Sequence, residues 1–406
     1  MRAKHGLPVW RYYIAMTTIS TLLKRSLPTA LVLALPLLAL AAPDDDPGLP
    51  PYPVIGYSES DMSRIVGTAT WLGDASVLLA GRTFDASGPA SWGWILKADG
   101  SGKRIWEKEL GKKAQSAHFS AASATGDGAL LVGTVNETTE MGGFVHASAW
   151  IVSMAADGRV QWDKSFTFGG LTRAHYVEPT QNGSFLVLGS VRERGKNDGA
   201  WIVRIDGAGR IGLQKNLEIP KDFAPTTFTA MSDGGFLLSG NVITPPKEEI
   251  RGWIGRFGAD GKPQWSHTLA LKGAQVAAAK VAADGAIVLA LNTGEDKPIY
   301  LMRLNGAGET LQAPVKTGLC KLPALWRNRN GGLQLAGVNC AAGKAPPSLG
   351  LVADLAHPER LQTLEALPGG EITLLAPQPE RNVIGVLGER RSGDKTSSVF
   401  VTRALP

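Results

Sequence analysis

The sequence predicts an all-β fold, a seven-bladed β-propeller built from four-stranded antiparallel blades. This prediction depends on a motif that recurs about every 50 residues and on the near absence of helical periodicity. The clearest landmark in each copy is an aromatic residue that leads one strand. It recurs at Trp94, Trp150, Trp201, Trp253, Tyr300 and Phe400, with a degraded copy near Leu349.

The second copy shows the four strands of one blade. Residues 118–124 form a strand of small residues, and residues 129–135 form an apolar strand that can be buried on both faces. The third and fourth strands are residues 149–154 and 160–166. Four such antiparallel strands make a propeller blade.

Asp-Gly and Asn-Gly dipeptides mark the hairpins between the strands, because glycine supplies the positive φ of tight turns. One series precedes the second strands: Asp127-Gly128, Asn182-Gly183, Asp233-Gly234, Asp284-Gly285 and Asn330-Gly331. Another lies between strands three and four: Asp99-Gly100, Asp157-Gly158, Asp206-Gly207, Asp260-Gly261 and Asn305-Gly306.

Paired tryptophans lie on either side of three of these turns, about 12 residues apart. The pairs are Trp94 with Trp106, Trp150 with Trp162, and Trp253 with Trp265. Because the midpoint of each pair falls on or beside the turn, we expect the two rings to face each other across the hairpin, in the core between blades.

The seventh copy ends after its third strand, and the apolar segment 52–57 has no place in the first copy. We therefore expect residues 52–57 to complete the last blade and close the ring, which removes an exposed sheet edge. Six or eight blades remain alternatives, since copies five to seven are eroded.

Residues 1–41 resemble a removable export signal. Lys24 and Arg25 precede an apolar run over residues 27–40, followed by a small-residue cleavage site. That run is about 14 residues long, whereas a bilayer span needs about 20; the alternative is a membrane anchor. Met16 is a candidate true start. Residues 42–51 then form an extended leader, residues 52–406 form one propeller domain, and the mature chain has no integral membrane segment.

The charge of the chain is concentrated in the export signal. The sequence has 42 basic and 36 acidic residues, and removing five basic residues with residues 1–41 leaves 37 against 36. Because nucleic-acid binding needs a clustered basic footprint, we expect no nucleic-acid partner.

The mature chain has two cysteines, Cys320 and Cys340, placed symmetrically about the turn near Asn330. In an oxidising compartment they are expected to form a disulfide, with a pair of buried thiols as the alternative. Together with the export signal, this favours a periplasmic or secreted bacterial protein.

Two segments resemble bacterial repeat propellers: DGGFLLSGN, which begins at Asp233, and WIVRIDGAGRIGLQKNL, which begins at Trp201. The families are the delta-60-type repeats and the PQQ-like or WD40-like propellers. The WD40-like resemblance implies a protein-binding platform, by analogy of fold alone. The residues that bind PQQ in related dehydrogenases cannot be mapped onto this chain, so no cofactor is expected.

Long polar loops between the second and third strands are expected at one end of the propeller, where loops on a rigid scaffold commonly bind partners. We call this the loop-rich end, and the other the turn end. The candidate binding residues are Arg192, Arg194, Glu248, Arg251, Arg390 and Arg391.

Histidines offer the strongest indication of chemistry. His118 and His175 each stand in an Ala-His-aromatic triplet on a first strand, and we expect them to lie close together at the channel mouth. His146 is placed to approach them, and Glu178 follows on the strand of His175. Such a group suits metal binding or general acid–base chemistry; the alternative is a local hydrogen bond repeated in two copies. No established catalytic or metal-binding motif accompanies it.

These features predict an exported, monomeric scaffold that binds a protein or cell-envelope component, including an inhibitor or immunity-type role. The alternatives are a polysaccharide lyase or hydrolase with a histidine site at the channel mouth, and a purely structural envelope protein.

Overall fold

The computed structural model describes residues 55–57, 64–84, 91–100, 102–111, 115–138, 144–193, 199–244, 249–294, 297–339, 348–364, 370–392 and 395–405. The predicted signal (1–41) and leader (42–51) lie outside these residues, as do Arg194, Glu248 and Cys340. The described part of the chain is all-β apart from one short 3-10 turn, Pro379–Arg381. No described helix is long and apolar enough to cross a bilayer.

One sheet has eight strands. They are β2 (Arg64–Trp71), β3 (Val77–Phe84), β4 (Ser91–Ala98), β5 (Arg104–Leu110), β6 (Gln115–Ala124), β7 (Gly128–Thr138), β8 (Phe144–Ala155) and β9 (Val160–Phe166). It consists of two antiparallel meanders, β2–β5 and β6–β9, joined by one parallel bridge between Ser91 and Ser116.

The other five sheets are four-stranded and antiparallel. Four are consecutive meanders: β10 (Leu171–Pro179), β11 (Phe185–Arg192), β12 (Gly199–Ile205), β13 (Ile211–Leu217); β14 (Phe223–Ala230), β15 (Phe236–Thr244), β16 (Glu249–Phe257), β17 (Pro263–Thr268); β18 (Gln275–Val281), β19 (Ile287–Asn292), β20 (Ile299–Leu304), β21 (Thr310–Lys316); β22 (Leu319–Arg327), β23 (Leu333–Asn339), β24 (Leu349–Val352), β25 (Gln362–Leu364). The fifth combines β26 (Gly370–Gln378), β27 (Val383–Ser392) and β28 (Lys395–Ala404) with β1 (Ile55–Tyr57).

The described residues therefore form five separate four-stranded sheets, not the seven expected, and the sixth sheet is mixed. The difference arises from the bridge between Ser91 and Ser116. Their hydroxyl oxygens lie 2.5 Å apart in a buried hydrogen bond, and this contact fuses two successive meanders into one sheet.

The two ends of the chain meet in the last sheet, as expected from the unused N-terminal strand. Ile55 pairs with Phe400 and Tyr57 pairs with Ser398, both antiparallel. The first meander also contacts this sheet, because Trp71 Nε1 donates to the carbonyl of Ala376 at 3.0 Å. Each meander's first strand contacts the next one's, and β26 contacts β2, so these strands form a closed inner ring.

The first strands other than β22 share a β-bulge near the middle of the strand. It falls at Gly67, Ser120, His175, Thr226, Ala277 and Thr373. Opposite five of these bulges stands the glycine of the repeated motif. A Cβ on Gly133 would lie 1.9 Å from the carbonyl oxygen of His118, and one on Gly189 would lie 2.1 Å from that of Arg173. The repeated glycine is therefore required because a carbonyl occupies the space of its side chain.

The expectation that paired tryptophans face each other across the hairpin is wrong. Trp94 pairs with Glu109, and Trp106 pairs with Lys97. Trp94 is fully buried, whereas Trp106 reaches the neighbouring meander and donates from Nε1 to the carbonyl of Ala156 at 3.1 Å. Trp162 and Trp265 make the equivalent bonds to Gly207 and Gly306, at 2.9 and 3.1 Å.

The hairpins between strands three and four share one turn geometry, wherever the Asp-Gly or Asn-Gly dipeptide falls. Positive φ falls on Gly158 and Gly261 as expected, but on Gly102, Gly209 and Gly308 in the other hairpins between strands three and four. Each of these glycines ends a turn and is followed by an extra residue that shifts the ladder. Gly128 likewise has no positive φ, whereas Gly183, Gly234, Gly285 and Gly331 do.

Candidate functional site

The predicted histidines lie on the first strands of two successive meanders, His118 in the half of β6 nearer the loop-rich end and His175 at the middle of β10. His118 on β6 pairs with Thr134, and His175 on β10 is the bulged residue between Ala174 and Tyr176. The two histidines therefore occupy different register positions, because the residue equivalent to His175 in β6 is the bulged Ser120. Both imidazoles are half-buried.

His118 and His175 interact electrostatically with two arginines. The pKa of His118 is lowered to about 4, by burial first and then by the charges of Arg82, His175 and Arg173. The pKa of His175 is also lowered to about 4, by burial and by Arg173. Both imidazoles are consequently neutral at pH 7. We call Arg82, His118, Arg173 and His175 the basic cluster.

Each member of the basic cluster has a defined place. Arg173 on β10 pairs with Ser190, whose Oγ lies 2.7 Å from Nε2 of His175. Arg82 on β3 pairs with Ile65 on β2, and its guanidinium lies 4.6 Å from the ring centroid of Phe84. Burial lowers the pKa of Arg82.

Sequence reasoning missed the two arginines. Arg82 directly follows the repeated glycine of a second strand, and Arg173 precedes the bulged His175 by two positions. Aligning the copies on the bulge, rather than on the Ala-His triplet, would have brought both positions to the same end of the propeller.

Glu178 does not join the histidines. Its carboxylate pairs with Lys280 on β18 and accepts a hydrogen bond at 3.2 Å from the backbone N–H of Ala230 on β14. It lies three residues beyond His175, or about 10 Å along an extended strand. Glu178 thus ties together three successive first strands and is already fully engaged.

His146 is also separate from the pair. It is exposed on β8 and pairs with Glu137 of β7, which places it two strands outward from β6. No group of three or more His, Cys, Asp or Glu side chains in the described part of the chain is arranged to hold a metal ion.

The candidate binding residues at the loop-rich end are only partly described. Arg192 ends β11 opposite Leu171. Arg251 on β16 is half-buried and forms an ion pair with Glu249 at 2.9 Å. The backbones of Arg390 and Arg391 pair with Ser397 and Thr396, and their side chains lie outside the described residues, as do Arg194 and Glu248 altogether.

No protein-family profile and no well-characterised protein sequence matches this chain. Solved structures share its fold. The polysaccharide lyase Uly1 aligns with a TM-score of 0.53 at 9% identity, over 86% of this chain and 92% of the lyase. A puromycin hydrolase aligns with a TM-score of 0.52 at 15% identity, over 83% of this chain and 53% of the hydrolase.

The acylaminoacyl peptidase of Pyrococcus horikoshii aligns with a TM-score of 0.50 at 13% identity, over 85% of this chain and 52% of the peptidase. The chain therefore spans about half the length of the hydrolase and the peptidase. At these identities the likeness concerns the fold alone, and it defines the protein as a β-propeller.

Proposed function

We propose that this protein is an exported seven-bladed propeller that binds a protein or cell-envelope component at its loop-rich end. An inhibitor or immunity-type role belongs to this proposal, as does a monomeric state. The type of repeat, whether delta-60-like, PQQ-like or WD40-like, stays a prediction.

Seven blades are supported by the core. The described buried residues form seven clusters, each containing side chains from two successive meanders. The cluster that contains Trp71, Ala376 and Phe400 joins the last sheet to the first meander. Seven interfaces in a ring correspond to seven blades if β2–β5 and β6–β9 are counted separately.

Export is supported by the signal-like residues 1–41, which favour a periplasmic or secreted location. Cys320 is buried on β22, and the proposed disulfide partner Cys340 follows one residue after the end of β23. A bridge there would close a loop of about 20 residues and stabilise the fold by about 2–4 kcal/mol.

The observation that carries the binding proposal is the basic cluster. Three successive meanders contribute Arg82, His118, Arg173 and His175 to one half-buried place at the loop-rich end. The charge of Arg82 is held partly out of water, which costs free energy in the isolated protein, and a complementary partner offsets this cost.

Affinity capture tests the proposal. The mature protein, immobilised, is expected to retain a component of the bacterial envelope. Arg173→Glu is expected to reduce the amount retained by about tenfold. Arg159→Glu is the matched control, because Arg159 is an exposed arginine at the turn end. Equal retention by the two variants, with both folded, contradicts the proposal.

The enzyme alternative has one observation in its favour: two neutral imidazoles that interact at the loop-rich end can serve as bases. Glu178, the acid that the sequence placed with the histidines, does not serve it, because Glu178 pairs with Lys280. Turnover of acidic polysaccharides by the mature protein, abolished in a folded His118→Ala/His175→Ala variant, would replace the scaffold proposal with the lyase or hydrolase.

A further inference from the structure

We propose that the basic cluster is a site for an oxyanion, the carboxylate or phosphate group of a ligand, and that Thr134 donates a hydrogen bond to it. This inference rests on the proposed binding function and names the chemistry that the site recognises.

The arginines supply the charge. Arg82 has no ion pair with a carboxylate in the part of the chain that the structure describes; its recorded contact is the ring of Phe84. Glu178, which lies further along β10, is held by Lys280 and by the N–H of Ala230. A guanidinium presents paired N–H donors that match carboxylate and phosphate oxygens.

A buried hydroxyl is an independent indication of a ligand. Thr134 is fully buried, and its Oγ1 has no hydrogen-bond partner. It pairs across the strands with His118, so the two side chains lie on the same side of the sheet. The equivalent residue of the next meander, Ser190, has the imidazole of His175 within 2.7 Å. Buried hydroxyls are normally hydrogen-bonded, and an oxyanion beside His118 would accept from Thr134.

The imidazoles make the site sensitive to pH. His118 is surrounded by the charges of Arg82, Arg173 and His175, and His175 by that of Arg173. Without an anion, burial first and then these charges lower the pKa of both rings to about 4, so both rings are neutral at pH 7. An anion among them favours the protonated rings, so binding takes up protons and strengthens as the pH falls.

Calorimetric titration of the mature protein with inorganic phosphate and, separately, with glucuronate tests the inference and distinguishes the two anion types. We expect at least one to bind, with affinity rising as the pH falls from about 7 towards about 4, the pKa of both rings in the free protein, and with proton uptake measured in buffers of different ionisation enthalpy. No binding of either anion at millimolar concentration overturns the inference.

Two variants localise the site. Thr134→Val keeps the side-chain shape and is expected to weaken anion binding about three- to tenfold without lowering Tm, because the hydroxyl has no partner in the protein. Ser239→Ala is the matched control, since Ser239 Oγ is likewise buried and unpartnered but lies in another meander; its anion affinity should not change. Equal effects of the two substitutions on anion affinity contradict the inference.

Arg82→Gln should weaken binding at least about tenfold, and Arg82→Lys, which keeps the charge, should weaken it less. If neither anion binds but Arg173→Glu still abolishes envelope capture, the oxyanion site fails and the binding function stands.

Discussion

At the scale of single residues, a basic side chain on a third strand holds the turn that precedes the second strand. Lys97 is buried and its Nζ donates to Asp74 at 2.8 Å and to the carbonyl of Ala156 at 3.0 Å. Arg256 and Arg303 pair in the same way with Asp233 and Asp284, at 2.6 and 2.8 Å. These contacts fasten the turn end of the propeller, opposite the basic cluster.

The pair between Asp74 and Lys97 predicts a loss of stability in acid. Burial acts to raise the pKa of Asp74, but hydrogen bonds from Lys97 and Ser76 outweigh it and lower the pKa to about 2. Because this value lies below the pKa of about 3.9 in an unfolded chain, the pair stabilises the fold above about pH 4. That contribution is lost as the pH falls towards about 2.

We expect Asp74→Asn to lower the free energy of unfolding by about 0.2–1 kcal/mol near pH 6, since Asp74 is half-exposed, and by less at each step towards pH 2. Denaturant unfolding at several pH values measures this. Lys97→Met removes the same ion pair, so the free energy of unfolding should depend less on pH between about 4 and about 2 in this variant as well. A variant difference that does not change with pH would show that the pair is not responsible.

At the scale of elements, the bulge of the first strand decides which residue the second strand can carry opposite it. The carbonyl displaced by the bulge occupies the position of a Cβ at Gly81, Gly133, Gly189 and Gly240. The exception is Leu291, which stands at this position in β19. The repeated glycine is thus required by a carbonyl of the neighbouring strand and not by a positive φ of its own.

Gly133→Ala is therefore expected to destabilise the protein by about 1–3 kcal/mol, the usual cost of forcing atoms into a packed place. Gly207→Ala is the matched control, because nothing lies within 4 Å of its Cβ and its φ is not positive. Thermal unfolding of both variants tests this prediction. A Tm for Gly133→Ala equal to that of the control would mean that β6 moves away from the added Cβ without loss of stability.

At the scale of the whole molecule, stability depends on closing the ring with the first strand. β1 is only three residues long in the structure, yet it covers the outer edge of β28 in the last sheet. The same sheet packs against the first meander through Trp71, Ala376 and Phe400. Removal of β1 would expose a strand edge and weaken the one interface that unites both chain ends.

Deletion of residues 52–57 is expected to lower Tm by more than the loss of three strand residues explains, and to promote self-association through the open edge of β28. A protein that begins at residue 51 is the control and should behave as the mature chain does. An unchanged Tm and an unchanged molecular mass in solution after the deletion would show that β1 does not close the ring.

The sequence by itself determined the repeat, the apolar strands and the pairing of the N-terminal segment with the last sheet. The first two follow from local patterns, since strand type and turn position depend on neighbouring residues, and the third follows from counting one spare strand and one missing strand. It also drew attention to His118 and His175 as candidate site residues, because histidines stand out in a repeat of small residues.

Only the tertiary structure decided the register within each hairpin and which side chains lie near the two histidines. The ladder pairs Trp94 with Glu109, three residues beyond Trp106, and Trp106 instead contacts the next meander. One bulge placed His175 two positions away from the equivalent of His118. A shift of one residue turns every side chain of a strand to the other face, so register decides which side chains can meet. Arg82, His118 and Arg173 lie on three successive meanders, and only the packing of these meanders brings the three side chains together.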